Sequence, residues 1–285
     1  MVAARPNDRP RVIAWAMLSL LIALVAAAAH GARLEPGDDP QASPIWLKVK
    51  ASLFEGRVIA TPPPGALTLE APARAIDAAV VPIAIRTRFP QSATSHVSKL
   101  YLIIDANPSP ISAIFQFTPQ SGRADVETRV RVDDYSHVRA IAEMSDGRLY
   151  ATSRFVKASG GCSAPAGSDA SAALASLGKT RLRVEGDLLG REPVLAQLLI
   201  DHPNHSGLAM DQTTRQFTPA HYVRHVQVSI GDKPVFAADV DFSMSENPYF
   251  RFYFLPQGSA ELRATVFDSH ELRFVSVQVV RNAAP

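Results

Sequence analysis

The sequence predicts an all-β protein made of two immunoglobulin-like antiparallel β-sandwiches in tandem, with one short N-terminal amphipathic helix. From about residue 67, apolar and polar residues alternate with a period of two, which is typical of half-buried strands. Turn-forming residues separate these runs, and a second set of runs follows a break rich in Gly, Ser and Ala. Many short strands with regular turns favour the sandwich class.

Composition indicates a globular protein and does not favour nucleic-acid binding. The chain has 285 residues, of which 47% are apolar and 20% charged, so it can bury one large core or two ordinary ones. The formal net charge is only +2, and the basic residues are spread along the chain. Nucleic-acid binding normally requires a concentrated basic face, which the sequence does not indicate.

Residues 1–32 have the pattern of a secretory signal peptide. Arg5, Arg9 and Arg11 precede an apolar run over residues 12–29, and small residues follow it. An uncleaved membrane anchor is the alternative, because the run approaches the length that spans a bilayer. Both interpretations place the remaining chain outside the cytoplasm, so we expect a periplasmic protein.

A short helix is predicted after a polar linker over residues 33–43. Ser43 and Pro44 have the chemistry of a helix N-cap and a first-turn proline. Gly56 can end the helix, which we expect to pack on the neighbouring β-rich part of the chain. The apolar residues at helical spacing are Trp46, Val49, Leu53 and Phe54.

The first sandwich is predicted within residues 44–162. In one run, Glu127, Arg129 and Arg131 alternate with apolar or small residues, which places these three charged side chains on the solvent face. The predicted strands are 80–89, 100–105, 112–118, 126–132, 138–144 and 149–157.

The second sandwich is predicted within residues 180–285, after a linker over 163–179 that could contain a short alanine-rich helix at 170–177. A weak internal echo relates residues 107–120 to 247–257, and either common origin or chance could produce it. The predicted strands of this half are 180–184, 194–201, 222–230, 235–242, 249–255, 262–267 and 272–280.

Cys162 is the only cysteine in the chain, and Gly160 and Gly161 precede it directly. A single cysteine in an exported protein indicates either intermolecular pairing or a free reactive thiol. A buried cysteine that packs as a small hydrophobic side chain is the alternative. Because glycines and other small residues flank Cys162, we expect an exposed thiol on a flexible tether between the two sandwiches.

The sequence contains no recognised catalytic constellation or phosphate-binding loop, so we expect a protein that is not an enzyme and needs no cofactor. His202 and His205, followed by His221 and His225, weakly resemble a zinc-site spacing. On a strand, however, two residues four apart are separated by roughly 13 Å. We therefore favour histidines in turns and on the sheet surface, and predict no metal site.

Several stretches resemble the two subunits of the Sox sulfur-oxidation carrier. Residues 45–162 resemble SoxY, and residues 180–280 resemble its partner SoxZ, so the chain is similar to SoxY–SoxZ fusions associated with quinoprotein dehydrogenases. The stretches that carry the SoxY resemblance are 53–57, 71–75, 80–83, 102–110 and Gly160-Gly161-Cys162. Those for SoxZ are His202-Pro203, Ser206-Gly207, Pro219-Ala220-His221 and 245–252.

The resemblance implies that Cys162 is the covalent attachment site for a sulfur cargo, with Gly160 and Gly161 as a flexible arm. The implied partners are periplasmic oxidoreductases, either Sox-type enzymes or a quinoprotein dehydrogenase with its cytochrome c. One departure is that the motif continues through Ser163-Ala164-Pro165 into a second domain, whereas in SoxY it ends the chain. Two functions stay open: a covalent thiol carrier, and a non-covalent accessory module of a quinoprotein dehydrogenase system.

Overall fold

The computed structural model describes residues 35, 37–165, 167, 170–186, 188, 192–211, 214–256 and 258–280. The predicted export segment, residues 1–32, lies outside these ranges. Among the described residues, no helix is both long enough and apolar enough to cross a membrane.

The predicted N-terminal helix is confirmed as α1, Pro44–Phe54. Its N-cap is Ser43, whose Oγ accepts a hydrogen bond from the backbone N–H of Trp46 at 3.3 Å. Glu55 and Gly56 take left-handed conformations and end the helix. The helix buries Trp46 and Phe54 in a small cluster on one sheet, completed by Tyr101, Ile103, Ile141 and Leu149.

Every strand that the sequence predicted is present, and two short ones, β1 and β2, were not predicted. A second helix, α2, covers Ala170–Ser176 within the predicted linker. The strands of the first half are β1 Ile59–Ala60, β2 Leu67–Glu70, β3 Val81–Thr87, β4 Val97–Ile104, β5 Ile111–Phe117, β6 Val126–Val130, β7 Ser136–Met144 and β8 Leu149–Val156. Those of the second half are β9 Thr180–Glu185, β10 Val194–Ile200, β11 Val223–Ile230, β12 Lys233–Val240, β13 Tyr249–Phe254, β14 Ala260–Asp268 and β15 Arg273–Val280.

The strands form two sheets, which confirms the all-β sandwich class, and each sheet contains strands from both halves. The nine-stranded sheet has the order β1-β8-β7-β4-β5-β12-β11-β14-β15. The six-stranded sheet has the order β2-β3-β6-β13-β10-β9. The halves therefore join edge to edge, through β5 with β12 in one sheet and β6 with β13 in the other.

The two halves repeat one topology. Strands β8-β7-β4-β5 of the first half correspond to β15-β14-β11-β12 of the second, and β2-β3-β6 correspond to β9-β10-β13. The halves thus meet through corresponding strands, as the subunits of a two-fold dimer do. The echo seen in the sequence does not follow this correspondence, because it relates β5 to β13, which lie in different sheets.

Phenylalanines fill the junction between the halves. Phe236 of β12 stacks on Phe252 of β13 with ring centroids 4.7 Å apart, and it lies 6.0 Å from Phe115 of β5. Phe250 approaches both Phe115 and Phe236 within 6.4 Å and 6.2 Å. All four rings are buried, so the junction is part of one continuous core.

We expect Phe236→Ala to destabilise both halves together, because its ring contacts strands from each of them. Removing a buried phenylalanine costs about 3–5 kcal/mol of unfolding free energy. Hydrogen–deuterium exchange should show faster exchange in both β4 and β10, with a single unfolding transition in urea. Val277→Ala, at a position that is 42% exposed, serves as the control. Loss of protection confined to β10 would contradict the shared core.

Candidate functional site

The candidate site is built on the chain that follows β6, residues 131–133. Asn107, in the turn between β4 and β5, donates from Nδ2 to the carbonyl oxygen of Arg131 at 2.9 Å and to Ser243 Oγ at 3.1 Å. Its Oδ1 accepts from the backbone N–H of Asp133 at 2.9 Å. Because Asn107 is buried and both its Nδ2 and its Oδ1 are hydrogen-bonded, it fixes the backbone against which the cysteine segment packs.

Gly160 and Gly161 pack directly against this backbone. The Gly160 N–H donates to the carbonyl of Asp133 at 2.7 Å, and the Gly161 N–H donates to that of Val132 at 3.1 Å. Gly160 has a φ of 78°, which glycine adopts without steric cost. A Cβ at Gly161 would collide with the carbonyl oxygens of Ala78 and Val132, so only glycine allows this close approach.

Cys162 is fully buried, so the prediction of an exposed thiol is wrong. That Gly160 and Gly161 form a flexible arm stays a prediction. Its N–H donates to Asp133 Oδ1 at 3.3 Å, and its carbonyl oxygen accepts from Ser206 Oγ at 2.5 Å. The predicted arm Gly160–Gly161 packs backbone against backbone on residues 132–133 instead of extending into solvent. That Cys162 carries cargo stays a prediction.

The surroundings of Cys162 keep its sulfur protonated. Burial raises the pKa of the Cys162 thiol to about 12, and the carboxylate of Asp133 adds to the rise. The guanidinium of Arg131 opposes it, and Asp241 contributes a smaller rise. Since the thiolate is the nucleophile, the buried thiol is unreactive near neutral pH.

Arg131 is buried, which contradicts the prediction that it lies on the solvent face with Glu127 and Arg129. The regular alternation ends with β6 at Val130, and the Arg131 N–H donates instead to the carbonyl of Ser243 at 2.6 Å. Its guanidinium therefore turns inward, and burial lowers its pKa. From there it donates to the carbonyl oxygens of Gly161 at 3.2 Å and Asn204 at 3.5 Å.

The second half also brings two histidines and an aspartate together. His221 Nε2 lies 2.8 Å from Asp268 Oδ2, and His202 Nε2 lies 3.6 Å from the same oxygen. The ring of His270 stacks on that of His221 at 3.9 Å. His202 is buried, so its expected place in an exposed turn or on the sheet surface is wrong, whereas His225 lies apart and pairs with Asp239.

His202, His221 and Asp268 are close enough to share a metal ion, since their ligand atoms lie within 4.8 Å of one another. However, His202 Nδ1 accepts a hydrogen bond from the backbone N–H of Asn204 at 3.0 Å. In the neutral ring this places the proton on Nε2, the atom that would have to bind the metal. The arrangement therefore fits a buried carboxylate that faces two imidazoles better than a metal centre.

Burial lowers the pKa of His202 to about 4, with His221 adding to the effect. Between pH 6.5 and 4 the unfolded chain binds a proton that folded His202 does not, so this residue's stabilising contribution is lost as pH falls. His202→Asn keeps an acceptor for the Asn204 N–H but cannot titrate.

We expect the loss of unfolding free energy from pH 7.5 to 5 to be about 2 kcal/mol larger in the wild type than in His202→Asn. Urea denaturation at both pH values measures this. The wild type must be compared with this variant because a second group titrates over the same interval. Burial raises the pKa of Asp241 to about 6, so protonation of Asp241 increases the free energy of unfolding as pH falls. His225→Gln is the control, and an unchanged pH dependence in His202→Asn would contradict this role of His202.

Comparison with protein families identifies both halves. Residues 51–162 match the model of the sulfur oxidation protein SoxY, and residues 185–278 match that of the sulphur oxidation protein SoxZ. The two domains are thus those of a sulfur-oxidation carrier. The chain is a SoxY–SoxZ fusion, with both domains in tandem in one polypeptide. SoxY and SoxZ are carrier proteins, and their presence implies interaction with Sox-type enzymes.

Solved structures similar to this chain include the following three. The sulfur carrier protein SoxY from Chlorobium limicola f thiosulfatophilum is 25% identical, with a TM-score of 0.33, covering 39% of this chain and 89% of its own. A superoxide reductase (neelaredoxin) from Ignicoccus hospitalis is 17% identical, with a TM-score of 0.32 and coverages of 36% and 95%. Fibronectin(III)-like modules of Clostridium thermocellum CbhA are 11% identical, with a TM-score of 0.23 and coverages of 75% and 91%. Comparison with functionally curated proteins gave no match.

The sequence led to Gly160, Gly161 and Cys162, but it missed the side chains that hold them. Arg131 was assigned to solvent by extending the strand pattern too far. Ser206 belongs to a stretch that carries the SoxZ resemblance, but nothing local indicates that its hydroxyl reaches a residue 44 positions earlier.

Proposed function

We propose that this chain is a covalent thiol carrier that is exported to the periplasm and presents Cys162 to partner oxidoreductases of the Sox type. One observation carries the proposal: the SoxY match ends at residue 162, on the only cysteine of the chain. That cysteine follows Gly160-Gly161 and lies where the SoxY and SoxZ domains meet.

A cysteine sulfur suits this role because it forms disulfide-type bonds that a second thiol or an enzyme can break again. In the buried state the pKa of about 12 leaves on the order of one thiolate in 10⁵ at pH 7. Loading therefore requires that Cys162 leave its buried position. In water an unperturbed cysteine has a pKa of about 8.5, which gives a few per cent of thiolate.

The burial of Cys162 also favours a second candidate function. In this alternative the chain is a non-covalent accessory module of a quinoprotein dehydrogenase system, and Cys162 only packs in the core. This alternative requires no movement of the segment 160–162, and it predicts that the thiol carries nothing in the cell.

Intact-mass measurement on protein isolated from its native host separates the two functions. We expect a fraction of the wild-type chains to carry an added mass on Cys162 that dithiothreitol removes. Cys162→Ser should carry no adduct and should lose sulfur-compound oxidation in cells. We expect this result because only a thiol can form the exchangeable bond.

Ser163→Ala is the matched control, because it changes an exposed hydroxyl next to the cysteine and leaves the thiol in place. Its adducts and its activity should equal those of the wild type. Full pathway activity in a correctly folded Cys162→Ser variant would exclude the carrier function and leave the accessory module.

A further inference from the structure

Two buried side chains hold the carrier segment 160–162, Arg131 from the first half and Ser206 from the second. Ser206 Oγ donates to the carbonyl oxygen of Cys162 at 2.5 Å. Arg131 Nη1 donates to the carbonyl oxygen of Gly161 at 3.2 Å. Both bonds act on the backbone of the segment, so they hold its position whatever the sulfur carries.

The guanidinium of Arg131 is stabilised in part by the segment, since one of the two carbonyl oxygens to which it donates belongs to Gly161 and the other to Asn204. Arg131 is 2% exposed, and no described carboxylate lies within ion-pair distance of it. Its Nε has no hydrogen-bond partner within the part of the chain that the structure describes. Buried charges are costly unless they are compensated, so the carbonyl of Gly161 is one of few groups that stabilise this cation.

The loop of the second half that carries Ser206 is fixed by hydrogen bonds of Asn204. Asn204 donates from Nδ2 to the carbonyl of Met244 at 2.8 Å and accepts at Oδ1 from the N–H of Val223 at 2.9 Å. Its buried side chain anchors the loop that carries Ser206 to β11. The carrier segment, in contrast, continues into exposed Ser163 and Pro165, so the segment is the element that can leave.

We propose that Arg131 and Ser206 form a clasp that keeps the carrier thiol in its buried position, and that Cys162 reacts only after this clasp opens. The inference rests on the proposed function, and it adds a means of regulation. A partner that draws the segment outward would expose the thiol at the moment of docking. Until then the same contacts protect it from other oxidants and thiols.

Alkylation of Cys162 by iodoacetamide measures the opening directly. The thiolate sulfur attacks the methylene carbon, a carbon–sulfur bond forms, and iodide leaves with the electron pair, so no redox partner is needed. The labelling rate of the folded protein should equal the fraction of molecules in which the segment is open, multiplied by the labelling rate of Cys162 in the unfolded chain. We expect Ser206→Ala to react about five- to tenfold faster than the wild type, as loss of the buried hydrogen bond to the Cys162 carbonyl implies.

Arg131→Gln should accelerate labelling by a similar or larger factor. Arg129→Gln, which removes the same charge from the exposed face of β6, should stay within about twofold of the wild type, as an exposed substitution should. If Arg131→Gln fails to fold, Ser206→Ala decides alone, because loss of one hydroxyl preserves the surrounding packing.

Two results would overturn the clasp. One is an unchanged labelling rate in folded Ser206→Ala. The other is labelling that has the same urea dependence as global unfolding, since a local opening exposes little surface. The carrier function itself is judged separately, by the native adducts. Adducts without accelerated labelling in Ser206→Ala reject the clasp alone, whereas accelerated labelling without native adducts supports a clasp and rejects the carrier.

Discussion

The edge-to-edge pairing of β5 with β12 is the interaction on which the rest of this structure depends. It joins two halves of the same topology into one nine-stranded sheet, and the pairing of β6 with β13 does the same in the second sheet. Phe236 and its aromatic neighbours fill the space between the two sheets where the halves join. An open sheet edge in each half would favour association, so the fusion uses these edges internally.

This junction also creates the site. Residues 131–133, which follow β6, come from the SoxY domain, and the loop with Asn204 and Ser206 comes from the SoxZ domain. Each domain supplies one surface, and the segment with Cys162 lies between them. A SoxY domain alone would lack the hydroxyl that holds the cysteine carbonyl, so this contact exists only where the two domains meet.

The strands could be predicted because alternation is a local property. The N-cap at Ser43 and the end of α1 near Gly56 were equally local, and both were found. The short strands β1 and β2 were missed: β1 has only two residues, too few to show a period, and β2 has four, at the start of the alternating region. Arg131 was misassigned for the opposite reason: the period continued in the sequence after the strand had ended in space.

The sequence by itself determined the strands and the helix at residue 44, and it singled out a lone cysteine after two glycines as the candidate site, because each of these depends on neighbouring residues. Tertiary structure alone decided the register between the halves, the inward turn of Arg131 and the burial of Cys162. These depend on contacts between residues far apart in the chain, such as Ser206 with Cys162. Glycine illustrates the difference, since its missing side chain permits both free movement and the closest packing, and only the surrounding backbone selects between them.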